Sequence, residues 1–134
     1  MPSDEGPKLQ LTLLDGAFAV CQLGPTTPIP ASLADARVVS ITRTADELSV
    51  VCPEELAPAG AVSEGGWRCL AVRGPMPFSL TGILAAVAVP LANAGVSIFA
   101  VSTFDTDYVL VPGAQQERAI AALQSAGHSV LAAT

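Results

Sequence analysis

The sequence predicts an α+β protein of the ferredoxin-like kind, an antiparallel sheet with helices on one face, built from two related halves in tandem. Three observations predict it. From Trp67 onward, apolar runs of strand length alternate with stretches of helical spacing in the order βαββαβ. Gly95 and Gly127 stand where the two helical stretches should stop, and an acidic turn at Asp105 and Asp107 separates two apolar runs. A weak internal repeat sets Pro53 against Pro112, VVCP against VLVP, Asp46 against Asp105 and Thr44 against Thr103. The first half then reads as a shortened or permuted copy of the second.

Taken in order, residues 1–7 are a polar lead-in expected to be disordered. Residues 8–14 and 17–23 flank the turn signal Asp15-Gly16 and read as a β-hairpin. Three prolines in residues 24–30 require an extended loop, which leaves residues 31–36 room for about one helical turn. Strands at 38–42 and 47–52 follow around a turn at Thr44-Ala45-Asp46, and 53–66, rich in Pro, Ala and Gly, reads as a connector. This divides the chain into a first half at 8–62 and a second at 63–134.

The second half opens with a strand at 68–73. A helix at 79–94 follows, with Ser79 as N-cap and Leu80, Ile83, Leu84, Val87 and Leu91 as its apolar stripe. Ala85, Ala86, Ala88 and Ala92 make its opposite side smooth rather than charged, so the helix expects cover on more than one side. A hairpin at 96–111, a helix at 114–126 with Ala119, Ile120 and Leu123 inward, and an edge strand at 129–132 complete the pattern.

Composition narrows the function. Apolar residues make up 51% of the chain and charged residues 13%, few charges for so small a surface, so part of that surface is expected to be buried against another copy. The net charge is -6 and the six basic residues are scattered, which disfavours nucleic acid and anionic membranes, both of which need clustered positive charge. The amino terminus lacks the order of a signal peptide and no uninterrupted apolar run is long enough to span a bilayer, so a cytoplasmic protein is expected. Cys21, Cys52 and Cys69 are odd in number, widely spaced and set in apolar runs, which fits buried thiols rather than a disulfide framework or a metal site.

Little in the chain points to catalysis. The single histidine, His128, follows a helix-stopping glycine and has no Ser or Cys partner by spacing, so a surface or capping role is expected. No phosphate-cradling loop, zinc-protease motif or nucleophile elbow occurs, and no cofactor or metal is implied. The best candidate for holding an anion is the strand-to-helix junction at 74–79, since a helix N-terminus presents unpaired N–H groups. Gly82 would let another backbone approach closely. Asp105 and Asp107 share a side if their segment is extended, while in a tight turn Asp105 caps the turn.

FSLTGILA, the junction PLANAGVSIF and STFDTDYVLVP together resemble the ACT domain, a small-molecule sensor module of amino-acid metabolism. They are similar in particular to the standalone tandem-ACT proteins of the cytosolic arginine-sensor group and to aspartate-kinase-type ACT domains. The resemblance implies a non-catalytic regulatory protein that binds a free amino acid where the loop at 74–83 meets the hairpin at 103–107. It makes Asp107 the acceptor of an α-ammonium or basic side chain, lines the pocket with Thr103, Phe104 and Thr106, and closes it from the helix side with Phe78, Ser79, Leu80, Gly82 and Ile83. Leu80 stands where the arginine sensors carry an acidic residue, which favours a smaller or less basic ligand than arginine. A homodimer or larger homo-oligomer and a separate protein effector are implied as partners. The alternative is a structural or protein-interaction module that keeps the fold and has no ligand.

Overall fold

The computed structural model describes residues 7–73 and 82–133. In chain order the strands are β1 Gln10–Leu13, β2 Phe18–Leu23, β3 Ser40–Arg43, β4 Leu48–Pro53, β5 Val62–Val72, β6 Phe99–Ser102, β7 Asp107–Pro112 and β8 Ser129–Ala132. The α-helices are α1 Ile83–Asn93 and α2 Gln116–Ser125. Residues 16–67 form one compact unit, and residues 7–15, 68–73 and 82–133 form the other. β5 supplies its residues up to 67 to the first and the remainder to the second.

In the N-terminal unit the strands lie in the order β3-β4-β2-β5. β2 is antiparallel to β4, with Cys21 opposite Val50, and to β5, with Cys21 opposite Ser63. Short 3-10 turns at Ala31–Asp35 and Glu54–Leu56 occupy the places where this connectivity has helices. The unit is therefore a βαββαβ repeat whose helices have shrunk to single turns. Ala19, Cys21, Leu48, Val50 and Cys52 alternate along β2 and β4 and meet Leu33 of the first turn in one core, as the period of two requires. Near Gly65 and Gly66 the β2–β5 register shifts, Gly66 has φ +79°, and its N–H donates to Glu54 Oε1 at 2.6 Å.

The C-terminal unit runs β5-α1-β6-β7-α2-β8. β1 enters its sheet between β5 and β8, antiparallel to the first (Leu11 opposite Val72) and parallel to the second (Leu11 opposite Val130). β7 pairs with both β5 and β6. Ile83, Val87 and Leu91, spaced by four on α1, join Ala119 and Leu123 of α2 and Leu11, Leu70, Val72, Val109 and Val111 of the sheet in the core. Both helices stop in the same way. Gly95 (φ +77°) and Gly127 (φ +97°) turn the chain left-handed, and the N–H groups of Val96 and His128 then reach back to Leu91 O and Leu123 O.

Several expectations need correction. α1 begins at Ile83 rather than at residue 79, because Gly82 sits at the cap with φ +82° and breaks the helical path; Ser79 lies outside the described residues. Among the described residues no atom comes within 4 Å of where a Cβ on Gly82 would stand, so its glycine answers to backbone conformation rather than to close approach. β1 and β2 do not form a hairpin. Each pairs instead with a successive stretch of the eleven-residue β5, whose length serves both. The supposed connector is correspondingly a strand from Val62, and residues 7–15 group with the C-terminal unit rather than with residues 16–62. The lead-in lies, Pro7 apart, outside the described residues.

Candidate functional site

The β6–β7 turn is built by its own side chains. Thr103 N–H donates to Thr106 O at 2.8 Å, and Thr103 Oγ1 accepts the Thr106 N–H at 3.3 Å. This is the local bonding that makes threonine a turn former. Thr106 Oγ1 donates in turn to Val72 O at 2.9 Å, which fastens the turn to the last residue of β5, where the chain leaves the sheet toward α1. Ser102, the residue before the turn, donates its hydroxyl to Asp107 Oδ1 at 2.6 Å. That charge-assisted bond fixes the carboxylate's direction and leaves it further acceptor sites.

Thr103, Thr106 and Asp107 are thus brought together at the end of β5. Phe104 projects from the turn with 78% of its surface exposed. Gly82 is at the α1 cap, whereas Ile83 is 6% exposed and spends its side chain in the core. Phe78, Ser79 and Leu80 lie outside the described residues. Ser102 and the Val72 carbonyl are the participants that the sequence pattern missed.

A cleft of about 520 Å³ opens elsewhere in the same unit, walled by Ala85, Ala86, Val89 and Pro90 of α1 and Ala122 of α2. None of the predicted ligand residues that are described lines it. Among the described residues its one charged group is Lys8, whose Nζ donates to Ala126 O at 3.0 Å across the end of α2. Apolar walls without a carboxylate do not suit the ammonium of an amino acid, so size alone does not make this the site.

His128 borders that cleft and corrects the expectation of a surface residue, being 6% exposed. Pro90 lies inside α1 and has no N–H to give the carbonyl four residues back, Ala86 O. His128 Nε2 donates to that carbonyl at 2.7 Å, while Nδ1 accepts the Leu9 N–H at 3.0 Å. The two partners fix the tautomer: a backbone N–H can only donate and a carbonyl can only accept. The imidazole therefore repairs a proline-broken helix bond and ties α1 to β1, a structural use of both its nitrogens.

All three cysteines are free and buried. Burial, with Cys21 beside it, pushes the Cys52 thiol up to about 12, and burial alone does the same to Cys69. Neither is a poised nucleophile. Among the described residues no group of three or more His, Cys, Asp or Glu is arranged to hold a metal ion, and no helix is long and apolar enough to cross a membrane.

Comparison with known proteins agrees with this architecture. The ACT domain family model matches residues 62–125, and a model of an N-terminal domain matches residues 16–60. No curated protein matches the chain in sequence. Among solved structures, a protein from Agrobacterium tumefaciens is 40% identical over 96% of this chain and 96% of that one, with a TM-score of 0.89. A Vibrio cholerae protein of unknown function, described as a possible transport protein, is 19% identical over 90% and 91% of the two chains, with a TM-score of 0.69. The ligand-free regulatory subunit of aspartate kinase from Thermus thermophilus is 16% identical over 84% and 93%, with a TM-score of 0.61. The last two share the fold of this chain, and its residues 62–125, which run from β5 through α2, belong to the ACT domain family.

Proposed function

We propose that this ACT protein is a non-catalytic regulatory module that binds a free amino acid where residues 74–83 meet the turn at 103–107. The supporting observation is the Thr106 Oγ1 bond to Val72 O, which ties a polar turn carrying Asp107 to the strand end from which that loop departs. Asp107 receives the ligand's ammonium or basic group, held toward it by Ser102. Thr103, Phe104 and Thr106 contribute the turn side, and Phe78, Ser79, Leu80, Gly82 and the backbone of Ile83 the helix side. The protein works in the cytoplasm as a homodimer or larger assembly. Binding across an interface favours the packed arrangement by its differential affinity, and a separate protein effector reads the result.

Thermal unfolding with each of the twenty amino acids tests this. A ligand at 100 times its Kd, bound to the folded state alone, adds about 2.7 kcal/mol. The expected result is a shift confined to one chemical class and lost in Asp107→Ala, with the unliganded variant still folded. A variant that responds like the parent would place the site elsewhere. The second reading, a structural module without ligand, draws on the fact that Asp107 already has a partner in Ser102; flat curves with all twenty amino acids would select it.

A further inference from the structure

The β3–β4 and β6–β7 hairpins close alike. In the N-terminal unit Thr44 N–H donates to Glu47 O at 2.9 Å and Thr44 Oγ1 accepts the Glu47 N–H at 3.2 Å. In the C-terminal unit Thr103 and Thr106 make the same pair of bonds at 2.8 and 3.3 Å. These are the threonines that the internal repeat sets against each other, so the residues before them, Arg43 and Ser102, also correspond. Each is the last residue of its strand, β3 or β6.

Their side chains do different things. Arg43 spreads its guanidinium over the loop that leads from β2 to the first 3-10 turn: Nη1 donates to Pro25 O, and Nη2 donates to Thr27 O at 2.8 Å. Hairpin and strand-to-helix loop are thereby bridged within the N-terminal unit. Ser102 is too short for such a bridge and turns to Asp107 instead. The position that carries a cation in one unit is next to an anion in the other.

We infer that Arg43 is a built-in occupant. It takes, in the N-terminal unit, the place between hairpin and loop that a free ligand takes in the C-terminal unit, so the first half accepts nothing from solution. The inference rests on the reading of the C-terminal site proposed above. Two carbonyl oxygens, each accepting from one η nitrogen of the same planar group at an exposed position, form a receptor for a guanidinium, which an ammonium, a point donor, does not match. Removing the Arg43 side chain uncovers that receptor for small alkylguanidinium ions.

The test is to titrate methylguanidinium chloride into the ¹⁵N-labelled parent and Arg43→Ala chains, with methylammonium chloride at equal ionic strength as control. Saturable shifts at the Thr27, Thr44 and Asp46 amides are expected in Arg43→Ala with methylguanidinium at millimolar concentration. The parent should show none, and neither protein should respond to methylammonium. Arg43→Ser, which carries the residue of the other half, should behave as Arg43→Ala and guards against a fault of one variant. Equal, non-saturating drift in parent and variants would overturn the inference, as would calorimetric binding of two amino acids per parent chain. Failure of the amino-acid screen on the parent, with methylguanidinium uptake intact in Arg43→Ala, would remove the C-terminal reading and the equivalence while leaving a guanidinium receptor in the first half.

Discussion

At the scale of single residues, His128 shows how a bland position acquires a fixed task. Nδ1 serves a buried backbone N–H and Nε2 a part-buried carbonyl that the proline leaves without its helical partner, and orphaning a buried group costs about 1–3 kcal/mol. His128→Ala is therefore expected to lower stability by about 2–4 kcal/mol, measured by urea unfolding. In a Pro90→Ala background the helix regains the N–H that Ala86 O lacks. The cost of His128→Ala should then shrink by about 1 kcal/mol, and strict additivity would disprove the repair. The sequence contained both halves of this relation, a proline inside a helix pattern and a lone histidine after a glycine stop. It gave no sign that they meet, because the contact spans 42 residues and depends on how the sheet brings the end of α2 to α1. The thiols belong to this scale as well. The folded state holds Cys52 and Cys69 protonated up to about pH 12, whereas an unfolded chain releases those protons near pH 8.5. The folded state thus binds more protons across that window, so stability falls as pH rises from about 8.5 toward 12, by up to about 1.4 kcal/mol per pH unit per thiol. Chemical denaturation at pH 7.5, 9 and 10 reads the slope, and its absence in a Cys52→Ala, Cys69→Ala chain would confirm the source.

At the scale of elements, α1 was the most legible part of the sequence and also the place of its plainest error. The spacing of Ile83, Val87 and Leu91 gave the buried face, and Gly95 gave the stop. The start was misplaced because periodicity sees apolar residues and not the sign of φ: Leu80 fits the stripe, yet Gly82 turns left-handed in between. Gly82→Ala is expected to cost about 1–2 kcal/mol through that conformation alone, with no steric clash to relieve. If the loss were negligible, the left-handed cap would not hold in solution. The hairpin at Thr103–Thr106 was legible as a turn, and its side-chain bonds follow from the threonines that mark it. That Thr106 reaches Val72 was not legible, since nothing local records which strand end a turn will meet. β1 and β2 were read correctly as strands and wrongly as partners, for the same reason.

At the scale of the whole molecule, charge and hydropathy set the expectations about assembly. α1 carries no charged residue, and Leu84 and Val89 remain 38% and 53% exposed on its outer side. A helix apolar all round is ordinarily covered. The proposed homodimer is therefore expected to use this side, and Val89→Lys should shift the sedimentation-equilibrium mass toward that of one chain; an unchanged mass would move the interface elsewhere. The order βαββαβ was legible for the C-terminal unit because its helices are long enough to show their period. In the N-terminal unit the helices have shrunk to 3-10 turns, which leave no periodic trace, so the repeat survived in the sequence mainly as prolines and threonines. The position of β1 bears on how such a chain can be cut. Residues 16–67 stand between a strand and the rest of the unit to which that strand belongs, as an insert stands in a host. A fragment starting at residue 63 would leave β8 without the strand that it pairs with, and one ending at residue 62 would leave β2 without most of its β5 partner. The halves are alike in plan and yet are not modules that recombination can trade at their midpoint; an exchange that keeps the strand pairings within each unit needs two breakpoints, near residues 15 and 67.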